Sequence, residues 1–496
     1  MPDQDARKQL VLLVNSDYPL IYMETWEETR ATEILGLVSE DVRAALFVWT
    51  ITQGLARAGG APIYNTHEPA QVLATISTIT GNALFLLKDF HKYLEQDVIV
   101  RKLRDLAFSF RRARRSIVIS SPVVNIPIEL EKDVVRFTLG LPSEAELNRL
   151  VVGTVRDLMG EHRITSELTQ DEMPVLVGSL RGLTLEEARR ILTQAVLENY
   201  RFDVGTVERI REAKNQFIKD QGVLEFLKVD AGLDTVAGLA NLKAWLEKRR
   251  GALTPEAARY GIQPPKGILI TGVPGCGKSL SAKAVAREWK MQLLRFDTSN
   301  LFEKYVGESE KNLRKSLQVA EAVAPSVLWI DEIEKMFPRA GLTSDADGGL
   351  SLRIFGTFLN WMQEKKAPVF VVATSNDISA LPPELLRKGR FDEIFFVDLP
   401  GVEDRKSLFS IHLKRRKQNP AKFDLGKLAA ASEGFTGAEI EEVLSSSLYS
   451  AFNQKAALST EMLLKEIQST YPLAVTMKEK LDGLREWARQ RAVMAN

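Results

Sequence analysis

The sequence predicts an α/β protein built from two copies of one module, each a parallel sheet between helices followed by a helical annex. Three observations predict it. Short apolar runs alternate with helix-period segments, the pattern of a parallel sheet covered on both faces. The chain also repeats itself. Residues 176–188 and 428–440 both read as a helix, a glycine stop, a threonine cap and a second helix, with Gly182 and Gly434 in the same place. Finally, a glycine-rich loop joins a strand to a helix in the second copy and is missing from the first.

Composition bounds the answer before any motif is read. At about 100–200 residues per domain, 496 residues predict about three domains. Hydrophobic residues are 45% and charged ones 26%, enough apolar material for real cores. The 66 basic and 65 acidic residues leave a net charge of +1, which argues against a nucleic-acid partner. Cys276 is the one cysteine, so no internal disulfide forms, and a cytoplasmic, reducing location fits. The polar start at residues 1–8 has no secretory apolar core. The longest uncharged stretch, 69–87, carries Gln71, Thr75, Ser77, Thr78 and Asn82. It reads as helix, turn and strand, and no membrane span is expected.

In chain order, the first copy opens with the strand Leu20-Ile21-Tyr22-Met23. Residues 86–92 match 329–335, the apolar strand 116–121 matches 369–375, and the turn 126–130 matches 381–385. Each copy then reaches a strand ending in Leu-Pro, at Leu141-Pro142 and Leu399-Pro400. The expected layout is an α/β part over 1–142 with its helical annex over 143–205, and a charged helical connector over 206–228. The second α/β part follows over 229–402, with its annex and tail over 403–496. The stretch 461–496 reads as an amphipathic helical tail.

The second copy carries chemistry. The strand 267–271 runs into Gly272-Val273-Pro274-Gly275-Cys276-Gly277-Lys278-Ser279, then Leu280 and a helix. Glycines let backbone N–H groups curl round phosphates, and the helix N-terminus adds its positive dipole end. Lys278 offers a point charge to phosphate oxygens and Ser279 a hydroxyl to Mg²⁺. The strand 327–330 ends in Asp331-Glu332. Strand alternation would aim Asp331 at a water-bound Mg²⁺ and Glu332 at the attacking water. Asn376 ends the next apolar strand, where it would position that water or sense the γ-phosphate.

These residues together resemble the AAA group, in its narrow sense, of the AAA+ ATPases, over Gly232 to about Leu448. The resemblance implies a P-loop module with a helical lid, ATP and Mg²⁺ as ligands, and a homohexamer acting on a protein substrate. It implies that Arg387 and Arg390 are arginine fingers reaching a neighbour's ATP site. A permanent planar cation suits that role. It further implies that Lys304-Tyr305-Val306-Gly307 is a pore loop gripping polypeptide, that Val236 and Gly238 lie near adenine and His412 near ribose, and that Gly437 and Ala438 form the lid contact. Ala237 stands where the family more often has Gly, and Glu393 where it usually has Arg. Over the whole length, the two modules are similar to the AAA ATPase group encoded in algal plastid genomes and cyanobacteria and found in other bacteria. For a plastid-encoded chain, the compartment would be the stroma. The residues 17–22 contribute to this likeness.

The first copy has lost the chemistry. Glu24, Glu27 and Glu28 lie where a phosphate cradle would be, and they would repel a triphosphate. Lys88-Asp89 replaces the paired carboxylates, and the arginine-finger segment is shortened. A degenerate, non-hydrolysing module is expected. Two features invite less. Cys276 at a helix N-terminus raises a redox switch, but a tolerated small residue is the simpler reading. The basic clusters at 111–115 and 414–417 suit helix ends.

Overall fold

The computed structural model describes residues 4–111, 114–161, 164–166, 172–220, 224–227, 232, 236–253, 255–298, 308–336, 350–387 and 389–496. The chain divides into two compact units, Met1–Lys214 and Asn215–Asn496.

The first unit is built on six strands: β1 (Leu20–Glu24), β2 (Ala45–Thr50), β3 (Gly54–Arg57), β4 (Ala83–Lys88), β5 (Arg115–Ser121) and β6 (Val134–Thr138). Their order is β3-β2-β4-β5-β1-β6, parallel except for the β2–β3 edge. Successive side chains point to opposite faces of a strand. Leu20 and Tyr22 accordingly join one core with Phe85 and Ile117, while Ile21 and Met23 join another with Leu84 and Val118. Both faces are dry, so the strands read as unbroken apolar runs. Each fully buried aliphatic or Phe side chain contributes about 1.5–3 kcal/mol. Helices Glu144–Glu161, Met173–Leu180 and Leu185–Leu197 form the annex, with the short pair β7 (Thr165–Ser166) and β8 (Arg201–Phe202) beside them in sequence.

The second unit has seven strands: β9 (Leu224–Leu227), β10 (Gly267–Gly272), β11 (Gln292–Phe296), β12 (Ser326–Ile330), β13 (Val369–Ser375), β14 (Glu393–Val397) and β15 (Val493–Met494). Their order is β15-β14-β10-β13-β12-β11-β9. Read from β6 and from β14, the two sheets share one sequence of parallel strands. β6-β1-β5-β4-β2 matches β14-β10-β13-β12-β11. The repeat seen in the sequence is a repeat of topology. Helices Val402–Arg415, Leu425–Ala431 and Gly437–Asn453 make the second annex. Thr436 and Glu439 close a capping box there, as Thr184 and Glu187 do in the first.

Two elements differ from expectation. The connector is helix from Val204 to Asp220, but residues 224–227 form β9, antiparallel to β11 at the sheet edge. The tail is helical over Thr460–Ser469 and Lys478–Arg491, then ends as β15, parallel to β14. In both cases an unsatisfied sheet edge supplied partners that helix periodicity cannot announce. Among the described residues, no helix is long and apolar enough to cross a membrane.

Candidate functional site

In an open parallel sheet, ligands gather at the carboxyl ends of the strands. β10 lies between β14 and β13, and β12 lies next to β13. The loop after β10 therefore meets the ends of the two strands that carry the acidic and amide side chains.

That loop, 273–277, is shaped by its glycines. Gly272, Gly275 and Gly277 have φ of 135°, 76° and 89°. A Cβ at Gly272 would run into the Val397 carbonyl, and one at Gly275 would lie 3.0 Å from the Ala438 Cβ. Strand and lid crowd the loop from two sides, and glycine alone passes without strain. Ala438 N donates to Gly275 O at 3.1 Å, so the lid touches the loop directly. Helix Lys278–Glu288 starts at once, and its first N–H groups have no intrahelical acceptor.

Lys278 Nζ donates to the Gly272 and Val273 carbonyls, each at 2.9 Å. Burial lowers its ammonium to about 8, against the pull of Glu334, Asp331 and Glu332. Burial pushes the Cys276 thiol up to about 12 despite the neighbouring Lys278. A helix N-terminus tends to lower a thiol's pKa. Desolvation wins because Cys276 packs against the sheet core.

Ser279 Oγ donates to Asp331 Oδ1 at 3.1 Å, and Thr374 Oγ1 donates to the same oxygen at 2.5 Å. Thr374 Oγ1 also accepts from Glu332 N at 3.1 Å. β12 ends at Ile330, and Glu332 lies at φ 51°. The two carboxylates therefore diverge through a left-handed kink and not through strand alternation, which corrects the sequence reading. Such a conformation in a non-glycine residue costs about 1–3 kcal/mol and persists where surroundings hold it. Glu332 Oε1 accepts from Asn376 Nδ2 at 3.0 Å, and its other oxygen pairs with Lys335. Asn376 N donates to Glu334 Oε1 at 2.9 Å.

These groups line a cavity of about 360 Å³. Val236, Pro274, Gly275, Cys276, Gly277, Lys278, Ser279, Leu280, Asp331, Glu332, Asn376, His412, Gly437 and Ala438 all line it. Gly272 and Val273 back the loop and hold Lys278, and Gly238 lies against Asp404, whose carboxylate a Cβ there would strike. Burial lowers the pKa of His412, partly opposed by Glu441 at 3.7 Å. Arg387 and Arg390 are not among the lining residues. Arg387 is 71% exposed beside Glu384, and Arg390 Nη1 donates to the Glu384 carbonyl. Lys304, Tyr305, Val306 and Gly307 lie outside the described residues.

The sequence reading missed Thr374, Asp404, Leu408, Arg415, Glu441 and Asn496, all of which line the cavity. Thr374 could have been found, because it sits two residues before Asn376 on a strand known to flank β10. Asn496 left no local signal.

The comparisons agree with this geometry. A model of the AAA ATPase family associated with various cellular activities matches residues 268–399. Models of SpoVK-like AAA ATPases match 6–139 for the N-terminal domain and 145–221 for the second domain. The chain is 36% identical over 485 residues to the "uncharacterized AAA domain-containing protein ycf46" of Guillardia theta, covering 97% of this chain and 94% of the relative. It is 38% identical over 485 residues to the protein of that name in Pyropia yezoensis, covering 97% of each. The chain belongs to the AAA ATPases, in the group of these plastid ycf46 proteins. It is also 30% identical over 344 residues to a proteasome-activating nucleotidase of Methanosarcina mazei, covering 68% of this chain and 80% of that protein. As an AAA ATPase it is an ATP-hydrolysing enzyme, and the glycine loop of the second unit is the P-loop of its AAA module.

The first unit of this AAA ATPase carries a different set of side chains at the corresponding strand ends. The loop after β1 is three residues, 25–27, before helix Glu28–Asp41. Asp89 keeps the left-handed kink of Glu332, at φ 52°. The charges are exchanged, however. Glu28 stands at the helix start where Lys278 does, and Lys88 at the strand end before the kink. They pair at 3.5 Å. Beside them Arg30, 2% exposed, donates to Glu146 Oε1 and Oε2 at 3.0 and 3.2 Å and to Glu27 Oε2 at 2.9 Å. Glu27 Oε1 accepts from Leu185 N of the annex at 2.7 Å, the counterpart of the Ala438–Gly275 lid contact.

Proposed function

We propose that the chain hydrolyses ATP with Mg²⁺ in a homohexameric ring and couples hydrolysis to remodelling or threading of a protein substrate. The observation that carries this reading is the meeting of Lys278, Ser279, Asp331, Glu332 and Asn376 at three strand ends around one glycine loop. Lys278 would exchange its loop carbonyls for phosphate oxygens, with backbone N–H groups of the loop beside it. Ser279 Oγ and Asp331 Oδ1, 3.1 Å apart, form an all-oxygen pair suited to Mg²⁺, which is commonly held by one carboxylate, a hydroxyl and substrate phosphates. The ion would neutralise charge on the leaving phosphates. Glu332 would accept the proton of the attacking water, with Asn376 orienting its carboxylate.

The ring is supported by Arg387. A cation 71% exposed and outside its own cavity would be placed to serve a neighbour's site. Support for a protein substrate comes from the Lys304–Gly307 resemblance and from the likeness to a proteasome-activating nucleotidase. We assign the chain to the cytoplasm, or to the plastid stroma if plastid-encoded. A second reading, an ATP-gated scaffold without threading, is favoured by the ion cluster that fills the first unit's site.

A trap experiment separates them. Glu332→Gln should bind ATP and hold what the ring engages, and its partners with ATP are compared with those of Lys278→Ala. A protein held by the trap alone, and released by Tyr305→Ala, supports the motor. Partners held equally by both variants sink threading.

A further inference from the structure

We propose that residues 493–496 belong to the nucleotide site, with Asn496 as the positioning residue for the segment 236–239 at the base end of the cavity. This rests on the ATP reading above. Helix Ala240–Arg249 begins after Leu239, which is left-handed at φ 59° and has no side-chain cap. The first N–H groups of a helix need acceptors from elsewhere. Here they come from the end of the chain. Asn496 Oδ1 accepts from Leu239 N at 2.8 Å. The Ala495 carbonyl accepts from Asn241 N at 3.0 Å and Leu242 N at 3.3 Å. Asn241 Nδ2 returns two bonds, to the Met494 carbonyl at 3.0 Å and the Asn496 carbonyl at 2.6 Å.

This reciprocal cap is anchored on the sheet. Ala495 is fully buried, its N–H donates to the Phe396 carbonyl at 2.9 Å, and Val493 and Met494 pair with β14. The far end of the segment is held by Lys243 Nζ, which donates to the Val236 carbonyl at 2.6 Å. Val236, Ala237, Leu239 and Asn496 line the cavity, and Lys278, Asp331 and Glu332 mark its phosphate end. Val236 and Leu239 anchor the segment in the sheet core, and the hydrogen bonds from Lys243 and Asn496 at its two ends set the backbone of Ala237 and Gly238 between them. Fixing a binding loop beforehand removes the ordering cost from ligand binding. The strap therefore sets affinity for the base and leaves the phosphate end to the P-loop.

The test uses the full chain and two ligands, ATP and inorganic tripolyphosphate, measured by calorimetry. Asn496→Ala should weaken ATP about tenfold, the effect of one lost positioning hydrogen bond at the upper end of its range, with tripolyphosphate binding unchanged. Asn496→Asp keeps the acceptor for Leu239 N and should restore ATP affinity. Asn241→Ala breaks the same cap from the helix side and should repeat the ATP-selective loss. Unchanged ATP affinity in Asn496→Ala, or equal loss of both ligands, would overturn the assignment. A wild-type chain that binds tripolyphosphate but not ATP would overturn the ATP reading, and the strap's role with it.

Discussion

Replacing Arg30 with alanine strips the cation from two buried carboxylates. Arg30 makes three side-chain bonds of 2.9–3.2 Å to Glu27 and Glu146, and a fourth to the Gly140 carbonyl at 2.5 Å. All three side chains are at least nine-tenths buried. Removing one partner of such a cluster costs about 3–5 kcal/mol, because the remaining charges stay desolvated and repel each other. The lost bonds join the α/β part of the first unit to its annex, so the effect should be local. Multi-domain proteins commonly depart from two-state unfolding, so a single melting temperature is a poor readout for a chain of two compact units. Hydrogen exchange reports helices Glu144–Glu161 and Leu185–Leu197 separately. Their opening free energy should fall by about 3–5 kcal/mol at pH 7. A loss below about 1 kcal/mol, the value of an exposed pair, would refute the claim that the cluster holds the unit together.

The pH dependence has a fixed sign. Burial raises the Glu27 carboxyl above its ordinary range even with Arg30 beside it. Its contribution is full at low pH and is lost as pH rises through that raised value. Burial alone would raise Glu146 too, but bonds from Arg30 and Ser143 together hold it below. Its contribution is present above the ordinary carboxylate range and lost as pH falls. Without Arg30 both carboxylates follow the Glu27 pattern, so the deficit of the variant should shrink toward acid.

Lys278 at about 8 predicts that ATP affinity falls as pH rises through that value, since a neutral amine attracts no phosphate. Titration calorimetry above pH 8 should show a proton taken up on binding. Arg387→Ala or Arg390→Ala should lower turnover by about 10³–10⁵-fold while ATP binding persists, and wild-type specific activity should rise with protein concentration. Full activity in a dilute monomer contradicts the ring. With its thiol pushed up to about 12, Cys276 should be inert, and mild peroxide should leave ATPase activity unchanged.

Much of the site was legible because its parts are local. The loop 272–279 announces itself by glycine spacing, and Asp331-Glu332 and Asn376 by the apolar strands they end. The parallel, doubly covered character of the sheets was legible, because continuous apolar runs such as 84–87 demand burial on both faces. What escaped was non-local. The turn at Glu332 is a backbone kink held by Thr374, and no periodicity encodes it. β9 and β15 are short edge strands whose pairing depends on β11 and β14. The raised thiol of Cys276 was not legible, because a helix N-terminus is visible in sequence and desolvation is not, although it agrees with the reading of Cys276 as a tolerated small residue. Asn496 bonds to Leu239 across just over half the chain, and nothing near either residue predicts the other.

The two units put one architecture to opposite uses. In the second, the lid meets the P-loop through Ala438 N and Gly275 O, and the cavity between them is lined by Lys278 and Asp331. A ligand bound there contributes its binding free energy to the arrangement only while it is present. In the first, the same lid position meets Glu27, and Arg30 and Glu146 supply fixed charges in its place. That contribution does not depend on ligand concentration. Glu28 and Lys88 are exchanged in sign relative to Lys278 and Asp331 and pair at 3.5 Å, so a lysine at position 28 would face Lys88 with like charge. Such a like-charge contact is destabilising. Glu28→Lys alone should therefore leave the first unit without measurable ATP affinity in a nucleotide titration.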